Sequence, residues 1–274
     1  MASGSVTISS DVGLPLPAET IEQRFAELGR LGRRALVPYI TAGHPDAPRT
    51  IELIQGLQDA GADVIELGLP FSDPMADGPI IQASSQRALE LGMHFDRLLD
   101  LVAQARPRVP LVLFSYLNPI LAAGDDALER ASQAGFGGVL ITDLPVGSDP
   151  EREAWFGASP LAFIRLVAPT TPRARMKEIA AHGRGFVYLI SRLGVTGVRD
   201  DMPPELPDTV QRLRASTTLP VCVGFGVSRP EQAAAVARIA DGVVVGSAIV
   251  RAAGESVDRV VELTSSLRAA IDAA

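Results

Sequence analysis

Glu66, Asp73 and Asp77 succeed one another in the stretch "ADVIELGLPFSDPMADGP", residues 62 to 79. Glu66 interrupts an apolar run that ends at Gly68, and the two aspartates stand on the segment that follows. A half-exposed strand alternates polar and apolar residues, and no alternation surrounds Glu66. Carboxylates brought together in a pocket do general acid-base work. Each also has a plainer reading: Glu66 as a buried carboxylate satisfied by backbone donors or a tyrosine hydroxyl, Asp73 and Asp77 as ordinary turn residues before Pro and Gly. The chain's three tyrosines, Tyr39, Tyr116 and Tyr188, fall near the ends of apolar runs, which suits a flat aromatic ligand. Glycines recur in "RLGVTG" (192 to 197), "GFGVS" (224 to 228) and "VGSAIV" (245 to 250). Backbone amides at such turns, the last opening a helix, point at an anion such as phosphate.

Other chemistries are poorly supplied. Lys177 is the only lysine and shares a helical segment with Arg173, Arg175 and Glu178, so a Schiff-base aldolase or a pyridoxal-phosphate site in this chain is not expected. His94 and His182 fall in or beside helices, and His44 sits in the loop "AGHPD", which leaves no histidine-built metal site. The lone Cys222 lies in an apolar run and reads as a buried thiol in a reducing compartment. With 25 Lys+Arg against 32 Asp+Glu, no nucleic-acid or anionic membrane partner is expected. No basic leader or long apolar span is present, and a cytoplasmic location is expected.

The elements that must position these residues are legible as eight short apolar runs, at 35 to 41, 63 to 68, 110 to 116, 137 to 143, 161 to 169, 186 to 191, 219 to 226 and 241 to 247. Amphipathic stretches between them, such as 50 to 60, 80 to 91, 172 to 181 and 230 to 239, are long enough for crossover helices. Continuous apolar strands alternating with helices make a covered parallel sheet. Eight units in this length, with no dinucleotide fingerprint after the first strand, fit an α/β fold of the (β/α)8 TIM-barrel type. An extra N-terminal helix, "AETIEQRFAELGRLG", is expected to plug the barrel floor. Residues 1–17 read as a flexible extension and 18–274 as one catalytic barrel domain. In such a barrel the strand C-termini build the active site, which gives Glu66 a common mouth to face.

"ELGLPFSDPMADGPIIQ", with "VPYITAGHPD", "SRLGVTGVR", "GFGVSRPEQ" and "VVGSAIV", resembles the tryptophan synthase alpha subunit family, in order and over about residues 20 to 270. The resemblance implies cleavage of indole-3-glycerol phosphate to indole and glyceraldehyde 3-phosphate, with indole passing to a pyridoxal-phosphate beta subunit in an α2β2 complex. It implies no cofactor in this chain. It assigns Glu66 and Asp77 as the catalytic acid-base pair, Tyr188 as a support for Glu66, and Thr196 as a partner of Asp77 on loop closure. Tyr39, Phe114, Tyr116 and Phe225 would surround the indole, and Gly197, Gly226, Gly246 and Ser247 would hold the phosphate. An apolar pocket would raise the pKa of Glu66 while Asp77 stays ionised. Asp73, Pro74, Asn118 and Pro145 would face the beta subunit. The segment from Arg192 to about Pro207 would act as a lid. Two other readings remain at this stage: a mainly allosteric subunit with little activity of its own, and a stand-alone lyase releasing free indole.

Overall fold

The computed structural model describes residues 20–191, 203–224 and 226–274. Its elements are, in chain order, α1 (Ile21–Arg30), β1 (Ala35–Thr41), α2 (Ala47–Asp59), β2 (Ile65–Gly68), α3 (Pro79–Glu90), α4 (Phe95–Ala105), β3 (Leu111–Ser115), α5 (Leu117–Ala122), α6 (Ala127–Ala134) and β4 (Phe136–Ile141). There follow α7 (Pro150–Ala158), β5 (Ala162–Val167), α8 (Arg173–Ala181), β6 (Val187–Ile190), α9 (Leu206–Arg214), β7 (Val221–Gly224), α10 (Pro230–Ala237), β8 (Gly242–Val245), α11 (Ser247–Glu255) and α12 (Val257–Asp272). The strands pair in parallel, each with the next and β8 with β1, as a closed TIM barrel. All eight apolar runs became strands, trimmed by a residue or more at most ends.

The missing alternation has its cause in this closure. Odd and even strand residues go to two different cores, and both are dry. One set, including Leu36, Ile40, Leu67, Leu113, Val187 and Val223, packs outward under the helices. The other set, including Val37, Val64, Val112, Leu140, Phe186 and Val244, fills the barrel. Residues 64, 66 and 68 share the inward parity, so Glu66 stands in the barrel, above Val64 and below Gly68.

The floor is closed by α1, as the sequence implies. Thr20 caps it: its hydroxyl accepts the Gln23 amide at 3.1 Å while the Gln23 side chain accepts the Thr20 amide at 2.9 Å. Ile21, Phe25 and Leu28, spaced along one face, enter the inner core, where Phe25 meets Phe186 at 5.5 Å between ring centroids. Asp63, just ahead of β2, ties this plug to the wall. Its carboxylate accepts from Arg24 at 2.7 Å, Arg268 of α12 at 2.9 Å and the Leu36 amide at 2.8 Å. Polar investment at the floor serves stability; chemistry belongs to the other end.

Removing Asp63 leaves Arg268 with only the partly exposed Asp272 and Arg24 with only the exposed Glu27 as anionic partners. Asp63→Ala is therefore expected to lose about 3 kcal/mol in a urea unfolding experiment, the scale for breaking a buried ion pair. A loss under about 1 kcal/mol would show that the pair does not hold the plug.

Candidate active site

The C-terminal ends of the strands enclose a narrow cavity lined by Tyr39, Glu66, Phe114 and Tyr188 on the barrel walls, by Asp77 from the loop after β2, and by Gly226, Gly246 and Ser247 at the rim. Residues that the sequence scatters over more than 200 positions thus converge because each stands on a strand or on the segment that follows one at the mouth end. A much larger cavity, about 590 Å3 against about 50 Å3 at the mouth, opens on the outer wall beside α7 and α8. Size does not make it the site. Arg165 there donates to Glu153 at 2.5 Å and to the Leu144 and His182 carbonyls, and Glu153 also accepts the Gly147 amide, so the polar groups are spent on each other.

Glu66 is 1% exposed, and its Oε1 has no hydrogen-bond partner among the described residues. Burial pushes its carboxyl up to about 8, because an anion there would lack water. The plainer reading of Glu66, a carboxylate satisfied by neighbours, does not describe that oxygen. Asp77 arrives from the loop after β2, which turns back through the Asp77 amide to the Pro74 carbonyl at 3.1 Å. Burial raises the Asp77 carboxyl to about 6, with the Tyr116 hydroxyl acting in the opposite direction. At neutral pH the pair is therefore split, Glu66 protonated and Asp77 ionised.

Two glycines make room for two tyrosines. A Cβ on Gly68 would stand 2.1 Å from the Tyr39 hydroxyl, and one on Gly224 would stand 2.2 Å from the Tyr188 hydroxyl. Both rings need the neighbouring strand to carry no side chain at that level. Tyr39 meets Phe114 edge-on at 5.1 Å between centroids. Burial pushes both phenols up, so each stays a neutral donor. At the rim, Gly246 precedes α11 with no side-chain cap, and the first helical bond runs from the Val250 amide to the Gly246 carbonyl at 3.1 Å. The amides ahead of that bond have no helical partner and suit an anion.

The remaining expectations separate clearly. Tyr116 stands behind Asp77 instead of lining the cavity, and its hydroxyl accepts the Ala76 amide at 2.9 Å. Thr196, Gly197, Phe225 and residues 192–202 of the lid expected from Arg192 to about Pro207 lie outside the described residues, as does the extension at 1–17, while the last residues of the expected lid lead into α9, which begins at Leu206. Asp73, Asn118 and Pro145 are exposed and Pro74 half-buried, Asn118 in the first turn of α5 and the others on loops, all at the mouth end of the barrel. Among the described residues no cluster of three metal-ligating side chains occurs, and no helix is long and apolar enough to cross a membrane. Sequence reasoning did not single out Ala76, Gly78, Ile81 or Val244, which also line the cavity. Strand parity, 242-244-246, was the signal for Val244; for Ile81 only the return of the loop onto the mouth shows it.

Known proteins resemble this chain in sequence and fold. The family model described as Tryptophan synthase alpha chain matches residues 25–272. The tryptophan synthase alpha chain of Geobacter sulfurreducens is 48% identical over 258 residues, covering 90% of this chain and 97% of that protein. That of Desulfatibacillum aliphaticivorans is 46% identical over 259 residues, covering 91% and 98%. Among solved structures, Mycobacterium tuberculosis tryptophan synthase superposes with a TM-score of 0.85 at 36% identity, covering 93% of this chain and 98% of that one. Tryptophan synthase subunit alpha from Legionella pneumophila gives 0.84 at 38%, with coverage of 93% and 98%.

A carboxyl held neutral by burial leaves a thermodynamic trace. Below the ordinary glutamate value both folded and unfolded chains hold the proton, and Glu66 costs nothing. As pH rises from 4.5 toward about 8, the unfolded chain ionises first and the folded state loses stability. Glu66→Gln cannot titrate, so it should gain on the parent by about 3 to 5 kcal/mol between pH 4 and pH 9 in urea unfolding. An unchanged gap across that range would place Glu66 in water.

Proposed function

The chain belongs to the tryptophan synthase alpha chain family, and from that membership we propose which of its residues carry the reaction. The family's reaction, a carbon-carbon lyase step in tryptophan biosynthesis, cleaves indole-3-glycerol phosphate to indole and glyceraldehyde 3-phosphate. The observation that supports the residue assignment is that Glu66, its carboxyl pushed up to about 8 by burial, shares one cavity with Asp77. Glu66 gives its proton to indole C3, making the ring an indolenine. The carboxylate so formed takes the proton of the glycerol hydroxyl on the adjacent carbon. The O–H electrons become the aldehyde C=O, the C3–carbon bond breaks, and its electrons restore the aromatic ring. Positive charge develops at the ring nitrogen in between, where Asp77 accepts the N–H. Tyr188 supports Glu66, and Thr196 meets Asp77 when the loop after β6 closes.

Tyr39, Phe114 and Phe225 hold the indole ring, and Gly197, Gly226, Gly246 and Ser247 hold the phosphate. Partner contacts fall to Asp73, Pro74, Asn118 and Pro145, with a beta subunit carrying pyridoxal phosphate in an α2β2 assembly in the cytoplasm. Two features support a partner at this rim. Met75, beside Asp73 and Pro74, is 89% exposed. A cavity of about 390 Å3 lined by Phe71, Ser72, Met93, Asn118 and Pro119 opens next to it. An exposed apolar rim of this kind marks a contact surface.

Purified chain given indole-3-glycerol phosphate should release indole, and faster with a beta subunit. Glu66→Gln and Asp77→Asn should each lose at least tenfold while still folding, general acid-base help being worth about 10² to 10⁴ fold. Retention of full turnover by either variant would reject that assignment. Asp73→Ala should keep the unstimulated rate but blunt stimulation across a beta-subunit titration by about 1 to 3 kcal/mol of coupling. Undiminished stimulation would remove Asp73 from the communication between subunits.

A further inference from the structure

The eight strands carry two charged residues, Glu66 and Arg165. Glu66 stands inside the barrel. Arg165 shares the parity of Phe163 and Val167 on β5, which belong to the outer core, so it stands under the helices where the neighbouring strands place Val139, Ile141, Val187 and Leu189. It is 3% exposed, and Glu153 of α7, its partner at 2.5 Å, is 9% exposed. A buried ion pair adds little net stability over apolar residues of similar volume, because both charges lose their water. The place of this pair is explained instead by what its two ends hold.

Both ends grip the loop after β4, residues 142–149. The Arg165 guanidinium lies over the Phe163 ring at 3.9 Å and donates to the Leu144 carbonyl at 3.2 Å and to the His182 carbonyl, at the end of α8, at 3.3 Å. The second Glu153 oxygen accepts the Gly147 amide at 2.5 Å. Pro145 and Val146 fall between those two anchor points. Arg175 of α8 donates to the Val146 carbonyl, and the Ser148 amide closes the turn onto the Pro145 carbonyl at 3.0 Å. One residue ahead of Leu144, the Asp143 carboxylate accepts the Leu117 amide at 2.7 Å. The loop is thereby joined to the start of α5, where Asn118 and Pro119 line the cavity beside the exposed Met75. We propose that the Arg165–Glu153 pair is a positioning pair for the partner face, holding the loop after β4 in the shape on which the beta subunit docks, with Pro145 presented at the rim. The pair is itself buried beneath the loop and lines no part of the mouth cavity.

The proposal rests on the partner face proposed above, and the test separates the two. Hydrogen exchange of the Gly147 amide is followed by nitrogen-15 NMR in the ligand-free chain, and indole release from indole-3-glycerol phosphate is followed across a titration with the cognate beta subunit. Arg165→Met combined with Glu153→Leu removes both charges, so neither is left buried and unpaired. In that double variant Gly147 exchange should speed up by about tenfold or more, while the unstimulated rate stays within about twofold of the parent. Half-saturation should need about tenfold more beta subunit, with full stimulation recovered at saturation, as follows when only about a tenth of the free chains hold the docking shape. Arg165→Lys keeps the charge but lacks the planar fork that reaches Leu144, His182 and Glu153 together. It should shift exchange and half-saturation in the same direction, and it carries the test if the double variant folds poorly. Unchanged Gly147 exchange, or parental half-saturation despite faster exchange, would overturn the proposal and leave the pair a packing feature of the outer wall. A parent whose Gly147 amide is protected but which no concentration of beta subunit stimulates would instead overturn the partner reading, and with it the docking role of the loop.

Discussion

A carboxylate kept out of water is the constraint on which the rest of the structure depends. Closing eight strands into a barrel gives every strand a second dry face, and parity sends Glu66 into the inner one. Nothing else is needed to make it an acid at neutral pH: the burial that costs folding stability also holds the proton in place. That Oε1 has no partner among the described residues agrees with this, because a donor that satisfied it would favour the anion and lower the pKa.

The two ends of the barrel spend polar groups differently. At the floor Asp63 is fully engaged by Arg24, Arg268 and the Leu36 amide, and α1 seals the opening with apolar side chains. Among the described residues the polar groups at the mouth are few, and Glu66 Oε1 is without a hydrogen-bond partner. Gly68 and Gly224 give up side chains so that the Tyr39 and Tyr188 rings can stand in the space they leave. Asp77 brings its carboxylate from a loop, where a change of loop position can reach it without disturbing the barrel. This arrangement places Asp77 between the chemistry and the exposed rim around Met75 and Asn118.

Much of this was legible in the sequence, for identifiable reasons. Strands buried on both faces are continuous apolar runs, so all eight stood out, and Glu66 stood out as the polar break in one of them. The floor helix was legible because Ile21, Phe25 and Leu28 share a face. The trimmed ends were not: Asp63 looks like the first residue of a strand and is instead an ion-pair hub, a fact carried by Arg24 and Arg268 at distant positions. Tyr116 shares its residue type and strand-end location with Tyr39 and Tyr188, and only the loop folding back over β3 separates its role from theirs. Ile81 and Ala76 reach the cavity for the same non-local reason. Glycine at 68 and 224 read as strand-end turns, because the ring that needs each gap belongs to the neighbouring strand.

The central claim, that the barrel keeps Glu66 protonated at neutral pH, is tested most directly by carbon-13 NMR of its side-chain carboxyl in the ligand-free chain between pH 4 and pH 10. Glu66→Gln identifies the resonance. A midpoint near the value of about 8 set by burial is the result the account predicts. A midpoint near the ordinary 4.5 would contradict it, since a carboxylate already ionised at neutral pH has no proton to give to the indole ring.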